Sequence, residues 1–174
     1  MIFLYLTIIV ASNVITAMFP PISLFDGILL VPTGSVFVGV TFILRDFVQL
    51  NHGKRITYTA IFVASLMSAA ISWIVGDTVS VALASVVSFL VSESLDTEIF
   101  SRMKKSFAWR IVFSGLIGGI ADSVVFVMLG LSPIGGAILT WKQIPYAILG
   151  QALVKTVVQP VGVFCHLLLK KRKR

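Results

Sequence analysis

Long, continuously apolar segments separated by short polar breaks dominate this sequence. Crossing about 30 Å of hydrocarbon takes about 20 apolar residues in a helix, and six segments come near that length. They are Ile2–Phe19, Gly27–Val48, Ile56–Val75, Thr78–Ile99, Trp109–Leu131 and Gln143–Leu169. Strands of a membrane barrel would alternate polar and apolar residues over about 10 positions, which these segments do not. The pattern therefore predicts an all-α, polytopic membrane protein, with residues 1–174 forming a single domain of six transmembrane helices.

The composition agrees with a chain dissolved in lipid. Hydrophobic residues make up 57% of the sequence and charged residues 12%, and the mean hydropathy is +1.03. Soluble domains carry about 25% charged residues, so this chain has too few charges for a water-facing surface. Six spans would use about 120 residues and leave no room for a separate soluble domain. The single cysteine, Cys165, makes neither an intrachain disulfide nor a metal cluster, and we expect no cofactor or metal.

The basic residues indicate an orientation. Twelve of the fourteen fall on one side of the predicted topology, the exceptions being Lys142 and Lys155. The twelve are Arg45, Lys54, Arg55, Arg102, Lys104, Lys105, Arg110 and the five residues 170–174. The positive-inside bias places the N-terminus, the second and fourth connections and the C-terminus in the cytoplasm. The net charge of +7 thus reads as an orientation signal, and no nucleic acid partner is expected.

Several ionisable residues lie inside the predicted spans, where each costs at least about 2.5–3.5 kcal/mol on insertion. Glu93 and Asp96 are three residues apart in the fourth span and share one helical face, whereas Glu98 points elsewhere, closer to cytoplasmic water. Two carboxylates on an inward face suggest a site. The alternative is that both lie at the interface and cap the end of the helix.

An acid and a base lie at similar depth in the last two spans. Asp122 is about midway along the fifth span and Lys155 about midway along the sixth, which suggests a pair. Gln151, Lys155 and Gln159 follow one another at four-residue spacing and form a polar stripe on an apolar helix. A structural ion pair that holds helices together and a substrate site built on the same pair are both compatible with this pattern.

Two further spans carry polar residues. Asn13 lies in the first span, and Arg45 and Asp46 lie near the cytoplasmic end of the second. Adjacent helical residues point about 100° apart, so one of this pair could face the interior while the other reaches the headgroups.

The run from Ser92 to Phe100, followed by Arg102, is similar to the SE-x-x-DT-x-I-aromatic signature of the VUT family of bacterial membrane proteins. Weaker matches occur in order along the chain, at Ser12-Asn13, Thr41 to Asp46 with Gln49, Asp122-Ser123 with Phe126, and Lys155 with Pro160. The resemblance implies a multi-pass transporter of the bacterial inner membrane. It implies import of a queuosine precursor for tRNA modification, either 7-cyano-7-deazaguanine or 7-aminomethyl-7-deazaguanine.

The polar side chains within the predicted spans suit a purine-like base. A guanine-like edge presents N–H donors that suit a carboxylate, beside an O6 acceptor that suits Lys, Arg or an amide. An aromatic ring from Trp73, Phe89, Phe100 or Phe126 could stack on it, although any small polar heterocycle would fit as well. The candidate substrate-binding residues are Asn13, Arg45, Asp46, Glu93, Asp96, Asp122, Gln151, Lys155 and Gln159.

Other functions stay open at this point. A substrate-capture subunit of an energy-coupling-factor transporter would have a similar size, and it would need a separate energising module because the chain has no GxxxxGK[ST] motif. An intramembrane enzyme is less favoured, because both histidines, His52 and His166, lie near the cytoplasmic boundary and Asp96 and Asp122 differ in depth. A scaffolding protein would not explain the buried ionisable groups. A homo-oligomer is also compatible with the sequence.

Overall fold

The computed structural model describes the backbone of residues 1–20, 22–24 and 29–172, and the side chains of residues 1–20, 22, 31–158, 160 and 164. The elements are α1 (Ile2–Met18), β1 (Ile22–Leu24), β2 (Leu29–Val31), α2 (Ser35–Val75), α3 (Val79–Arg102), α4 (Phe107–Phe126), a π-helical turn (Val127–Leu131) and α5 (Ile144–Arg172). The predicted all-helical class is confirmed for these residues, apart from one short antiparallel hairpin of β1 and β2.

The long helix α2 reverses direction at Gly53. This residue has φ 80° and ψ 170°, a conformation that is essentially restricted to glycine. Ser12 Oγ donates to the Gly34 carbonyl at 3.0 Å and Asn13 Nδ2 donates to Ser68 Oγ at 2.8 Å. A straight helix would hold residues 34 and 68 roughly 50 Å apart, so the two halves of α2 must run back along each other. They correspond to the predicted second and third spans.

Counting the two halves of α2 separately, the described residues contain six apolar helical segments. Three helices of this part are long and apolar enough to cross a membrane, namely Ser35–Val75, Val79–Arg102 and Phe107–Leu131. Two shorter apolar helices are Ile2–Met18 and Ile144–Val158. The helices follow the predicted order, with ends within a few residues of the predicted ones except at the start of α2.

The prediction that the second helical span begins at Gly27 is wrong. Residues 27 and 28 lie outside the described part, but Leu29–Val31 is a strand and the helix begins only at Ser35. Pro32 explains the delay, because a proline disfavours helical geometry in the residue before it. The Ser35 N–H then donates to the Pro32 carbonyl at 2.9 Å, closing a turn that leads into α2.

Polarity is distributed as expected for a protein surrounded by hydrocarbon. Large apolar side chains point outward, with Phe3 83% and Trp73 84% exposed. The largest fully buried side chains include Arg45, Lys155 and Glu93. Lipid tails solvate an apolar exterior at no cost, whereas buried ions must find partners inside the bundle. The protein is therefore membrane-embedded.

Two consecutive glycines of α4 set the distances between the helices that carry these ions. A Cβ at Gly118 would lie 3.0 Å from Asp96 Cβ on α3, and one at Gly119 would lie 3.4 Å from Lys155 Cβ on α5. Residues without a side chain let helix backbones approach closely. The Gly118-Gly119 pair therefore lets both α3 and α5 pack closely against α4.

Candidate functional site

A polar cavity lies between all five helices. Its empty volume is about 630 Å³, counting the space that is open to the outside. The lining residues are Ile9, Ser12, Asn13, Thr16, Pro32, Gly34, Ser35, Val38, Thr41, Ser68, Ser85, Ser88, Phe89, Asp122, Phe126, Gln151 and Lys155. Hydroxyl and amide groups outnumber charges, so the cavity offers many hydrogen bonds around a single ion pair.

The ion pair of Asp122 and Lys155 forms one wall of the cavity. Lys155 Nζ donates to Asp122 Oδ2 at 2.5 Å, and the two side chains are 2% and 9% exposed. The ammonium group also donates to Ser123 Oγ at 3.2 Å and to Gln151 Oε1 at 3.3 Å, while Ser92 Oγ lies 3.4 Å from Asp122 Oδ1. The pair predicted from the depth of the two residues is therefore present, and its orientation is held by three polar neighbours.

Hydroxyl and amide groups of α1, α2 and α3 form further walls. Asn13 donates to Ser68 Oγ at 2.8 Å, and Ser85 and Ser88 donate to carbonyls one turn earlier in their own helix. A hydroxyl that donates to its own backbone still has acceptor lone pairs. The rings of Phe89 and Phe126 also line the cavity, which gives it flat apolar surfaces beside its polar ones.

A second cluster, which we call the Arg45 cluster, consists of Arg45, Asp46, Glu93 and Asp96. Arg45 Nε donates to Glu93 Oε2 at 3.0 Å, Nη1 lies 3.1 Å from Asp46 Oδ1, and Nη2 contacts Asp96 Oδ2. All four side chains are 0% exposed. None of them lines the cavity. A single guanidinium group therefore forms ion pairs with three buried carboxylates.

The Arg45 cluster lies beyond one end of the cavity. Along α3, Ser85 and Phe89 line the cavity, Glu93 and Asp96 follow one and two turns later, and Glu98 reaches Lys54 at 2.6 Å near the exposed end of the helix. Thr41 links the two sites, since it lines the cavity and its Oγ1 lies 3.5 Å from Glu93 Oε1. The polar interior therefore continues from the cavity into the cluster.

The nine predicted site residues thus fall into separate places. Those at the cavity are Asn13, Asp122, Gln151 and Lys155, and those in the Arg45 cluster are Arg45, Asp46, Glu93 and Asp96. The side chain of Gln159 lies outside the described part. Arg45 and Asp46 do not point to different environments, because Arg45 Nη1 lies 3.1 Å from Asp46 Oδ1 and both side chains are 0% exposed.

The aromatic candidates also divide. Phe89 and Phe126 line the cavity, whereas Trp73 is on the exterior and Phe100 is buried with the Arg110 guanidinium 3.9 Å from its ring centre. Ser85 and Ser88 line the cavity but are not among the site residues predicted from the sequence. Ser85, Ser88 and Ser92 fall on one face of α3, and that hydroxyl stripe was the available signal.

Apolar helices around a polar cavity with buried ions define a membrane protein that handles a small polar solute. Residues 66–169 match the model of the family described as "Putative vitamin uptake transporter". The match covers more than half of the chain, so the protein belongs to this family, and the resemblance to the VUT family is confirmed. It is a transporter of the vitamin-uptake type. No curated protein and no solved structure matches the chain.

Proposed function

We propose that the protein imports a queuosine precursor, 7-cyano-7-deazaguanine or 7-aminomethyl-7-deazaguanine, across the bacterial inner membrane through the cavity between its helices. The observation that carries the proposal is the Asp122–Lys155 pair on the cavity wall, with Gln151 beside it and the rings of Phe89 and Phe126 nearby. The remaining lining groups are mainly hydroxyls, which suit a polar heterocycle with at most one charge better than a multiply charged solute.

The ion pair presents a hydrogen-bond acceptor, Asp122, next to a donor, Lys155, and this arrangement complements the edge of a guanine-like base. The edge of a 7-deazaguanine carries N–H donors adjacent to the O6 acceptor. Asp122 would accept from the N–H groups, and Lys155 or Gln151 would donate to O6. A carboxylate already held by Ser92 and Lys155 loses little freedom when substrate binds, so the site is preorganised.

We also propose six spans, formed by α1, the two halves of α2, α3, α4 with its π-helical turn, and α5, with both termini in the cytoplasm. The basic residues support this orientation. It places the C-terminal half of α1 and the first turns of α2 and α3 in the outer half of the membrane. These segments line the cavity through Ser12, Ser35 and Ser85, so the cavity would lie on the side from which an importer takes its substrate.

Of the two other functions that the sequence leaves open, the geometry disfavours the enzyme. In a di-aspartyl enzyme two aspartates share a proton at close range, but here Asp96 contacts Arg45 and Asp122 contacts Lys155. A substrate-capture subunit of an energy-coupling-factor transporter would use the same cavity. Transport by the purified chain alone in vesicles separates a self-sufficient carrier from such a subunit.

The decisive experiment is genetic rescue. The chain is expressed in a strain that makes no queuosine precursor and lacks its own importer, and each precursor is supplied at low concentration. Queuosine in tRNA, read by retention on boronate gels, is expected to return with the wild type and with Lys142→Met. It is expected to stay absent with Asp122→Asn and with Lys155→Met. No rescue by either precursor, with the protein confirmed in the membrane, would refute the substrate assignment.

A further inference from the structure

The Arg45 cluster contains more negative than positive formal charge. Three carboxylates, those of Asp46, Glu93 and Asp96, contact a single guanidinium group, and all four side chains are 0% exposed. Arginine keeps its charge in proteins, so three ionised carboxylates would leave two uncompensated charges. A buried ion is tolerated only when it is paired. The surplus must therefore be neutralised by something that the side chains of the cluster do not supply.

Neighbouring cations do not supply it. The ionisable groups that interact with the cluster from the surrounding helices include Tyr5 on α1, Tyr58 on α2, and Arg110 and Asp122 on α4. Arg110 donates to the Phe100 carbonyl at 2.9 Å and stacks on that ring, and the nearest lysine of α5, Lys155, is bound to Asp122. Within the described part of the chain, Arg45 is the one cation in contact with these three carboxylates.

A metal ion does not fit either. No group of three His, Cys, Asp or Glu side chains within the described residues is arranged to hold one, and the guanidinium occupies the position between the carboxylates. Asp46 Oδ2 is fully buried and has no hydrogen-bond partner among the described groups, and the ion pair with Arg45 joins Nη1 to the other carboxylate oxygen, Oδ1, at 3.1 Å. A carboxylate oxygen in that environment is one on which a proton removes a charge without displacing any partner.

We propose that Asp46, Glu93 and Asp96 form a proton-binding site around Arg45, and that the carrier uses it to couple import to the proton gradient. The coupling rests on the proposed transport function. Each cycle would add a proton from the cavity side to a carboxylate, giving a neutral carboxylic acid. The acid would lose that proton to the opposite side, so the site returns to its starting charge.

Polar contacts connect the cluster to both ends of the bundle. On the cavity side, Thr41 Oγ1 lies 3.5 Å from Glu93 Oε1. On the other side, Arg45 Nη1 donates to Gln49 Oε1 at 3.1 Å, and Gln49 Nε2 donates to the exposed Ser101 at 2.7 Å. Because arginine does not release its proton, this series of polar contacts is not a continuous path for protons. Protons must instead enter and leave the carboxylates as access alternates between the two ends.

The site can be tested without substrate by infrared spectroscopy of the purified protein in lipid. A carbonyl band of protonated carboxylic acid is expected at neutral pH, and Asp46→Asn, Glu93→Gln and Asp96→Asn are each expected to weaken or shift it. These amides imitate the protonated acid in shape, and three separate variants keep the test valid if one does not fold. Glu98→Gln is the matched control, since this residue on the same helix is partly exposed and pairs with Lys54 and Arg102. A spectrum without such a band, or with one that only Glu98→Gln alters, overturns the site.

Coupling is tested in proteoliposomes with labelled 7-cyano-7-deazaguanine and a pH dye inside. An inward gradient of one pH unit should raise steady-state accumulation by up to about tenfold per proton carried, and substrate should acidify the interior. Glu93→Gln and Asp96→Asn should keep exchange of substrate and lose the response to the gradient, whereas Glu98→Gln keeps both. Equal accumulation with and without the gradient overturns the coupling. If neither precursor binds or exchanges, the proposed function fails and the coupling with it, while the infrared result still decides the proton site.

Discussion

Replacing Lys155 with methionine tests whether the cavity ion pair is an interdependent unit. Methionine has a similar length and volume, so the change mainly removes the charge. It leaves Asp122, 9% exposed, without its cation and with Ser92 as its one remaining polar contact among those described. The prediction is a large loss of stability in the single variant and a much smaller loss when Asp122→Asn is added.

The magnitude follows from burial. Removing one partner of a buried ion pair costs about 3–5 kcal/mol, because the other charge is left uncompensated. Replacing both partners with neutral groups of similar volume is often close to neutral. If the two sites were independent, the double variant would lose the sum of the two single losses. We expect it to lose less than either single variant.

Reversible unfolding by SDS in mixed micelles, followed by tryptophan fluorescence, measures these differences. Lys142→Met is the matched control, because this lysine is exposed in the loop before α5, and its midpoint should equal that of the wild type. The double variant should also fail to bind 7-cyano-7-deazaguanine although it is stable, which separates a binding role from a purely structural one. A double variant that loses the sum of the single effects, or that binds normally, would refute the reasoning.

Three further changes address the reversal of α2, the cavity and the topology. Gly53→Asn should destabilise the protein by about 1–3 kcal/mol more than Gly76→Asn, because both residues have φ near +80° but only Gly76 has the left-handed helical ψ that asparagine adopts. Ser85→Phe, which fills the cavity from α3, should reduce uptake about tenfold or more, the effect of losing about 1.4 kcal/mol of binding. With Cys165 replaced by alanine, a cysteine at Lys142 should react with an impermeant thiol reagent outside intact cells, and a cysteine at Lys105 should react only after lysis.

Each of these has its own contrary outcome. Equal unfolding midpoints for Gly53→Asn and Gly76→Asn would show that a side chain at residue 53 does not strain the backbone there. Leu83→Phe, on the outward face of the same helix, should transport normally, and a loss equal to that of Ser85→Phe would argue against occlusion. Labelling of both cysteines from outside, or of Lys105→Cys alone, would overturn the proposed orientation.

The sequence alone was sufficient for the class of fold and for the family. Continuous apolar segments predict helices because lipid leaves backbone groups no partner but each other. The clustering of Lys and Arg indicates an orientation for a similarly local reason. The Asp122–Lys155 pair was also predictable, since two opposite charges at one depth on consecutive helices have few other ways to be neutralised.

Tertiary structure decided which polar residues act together. The rotation of each helix about its axis depends on packing at Gly118, Gly119 and similar contacts, which no single segment encodes. That packing turned Ser85 and Ser88 toward a cavity and gathered Glu93 and Asp96 around Arg45. A serine that lines a cavity and one that only packs have the same local sequence signal. Only the positions of the neighbouring helices distinguish a substrate site from a buried ionic cluster.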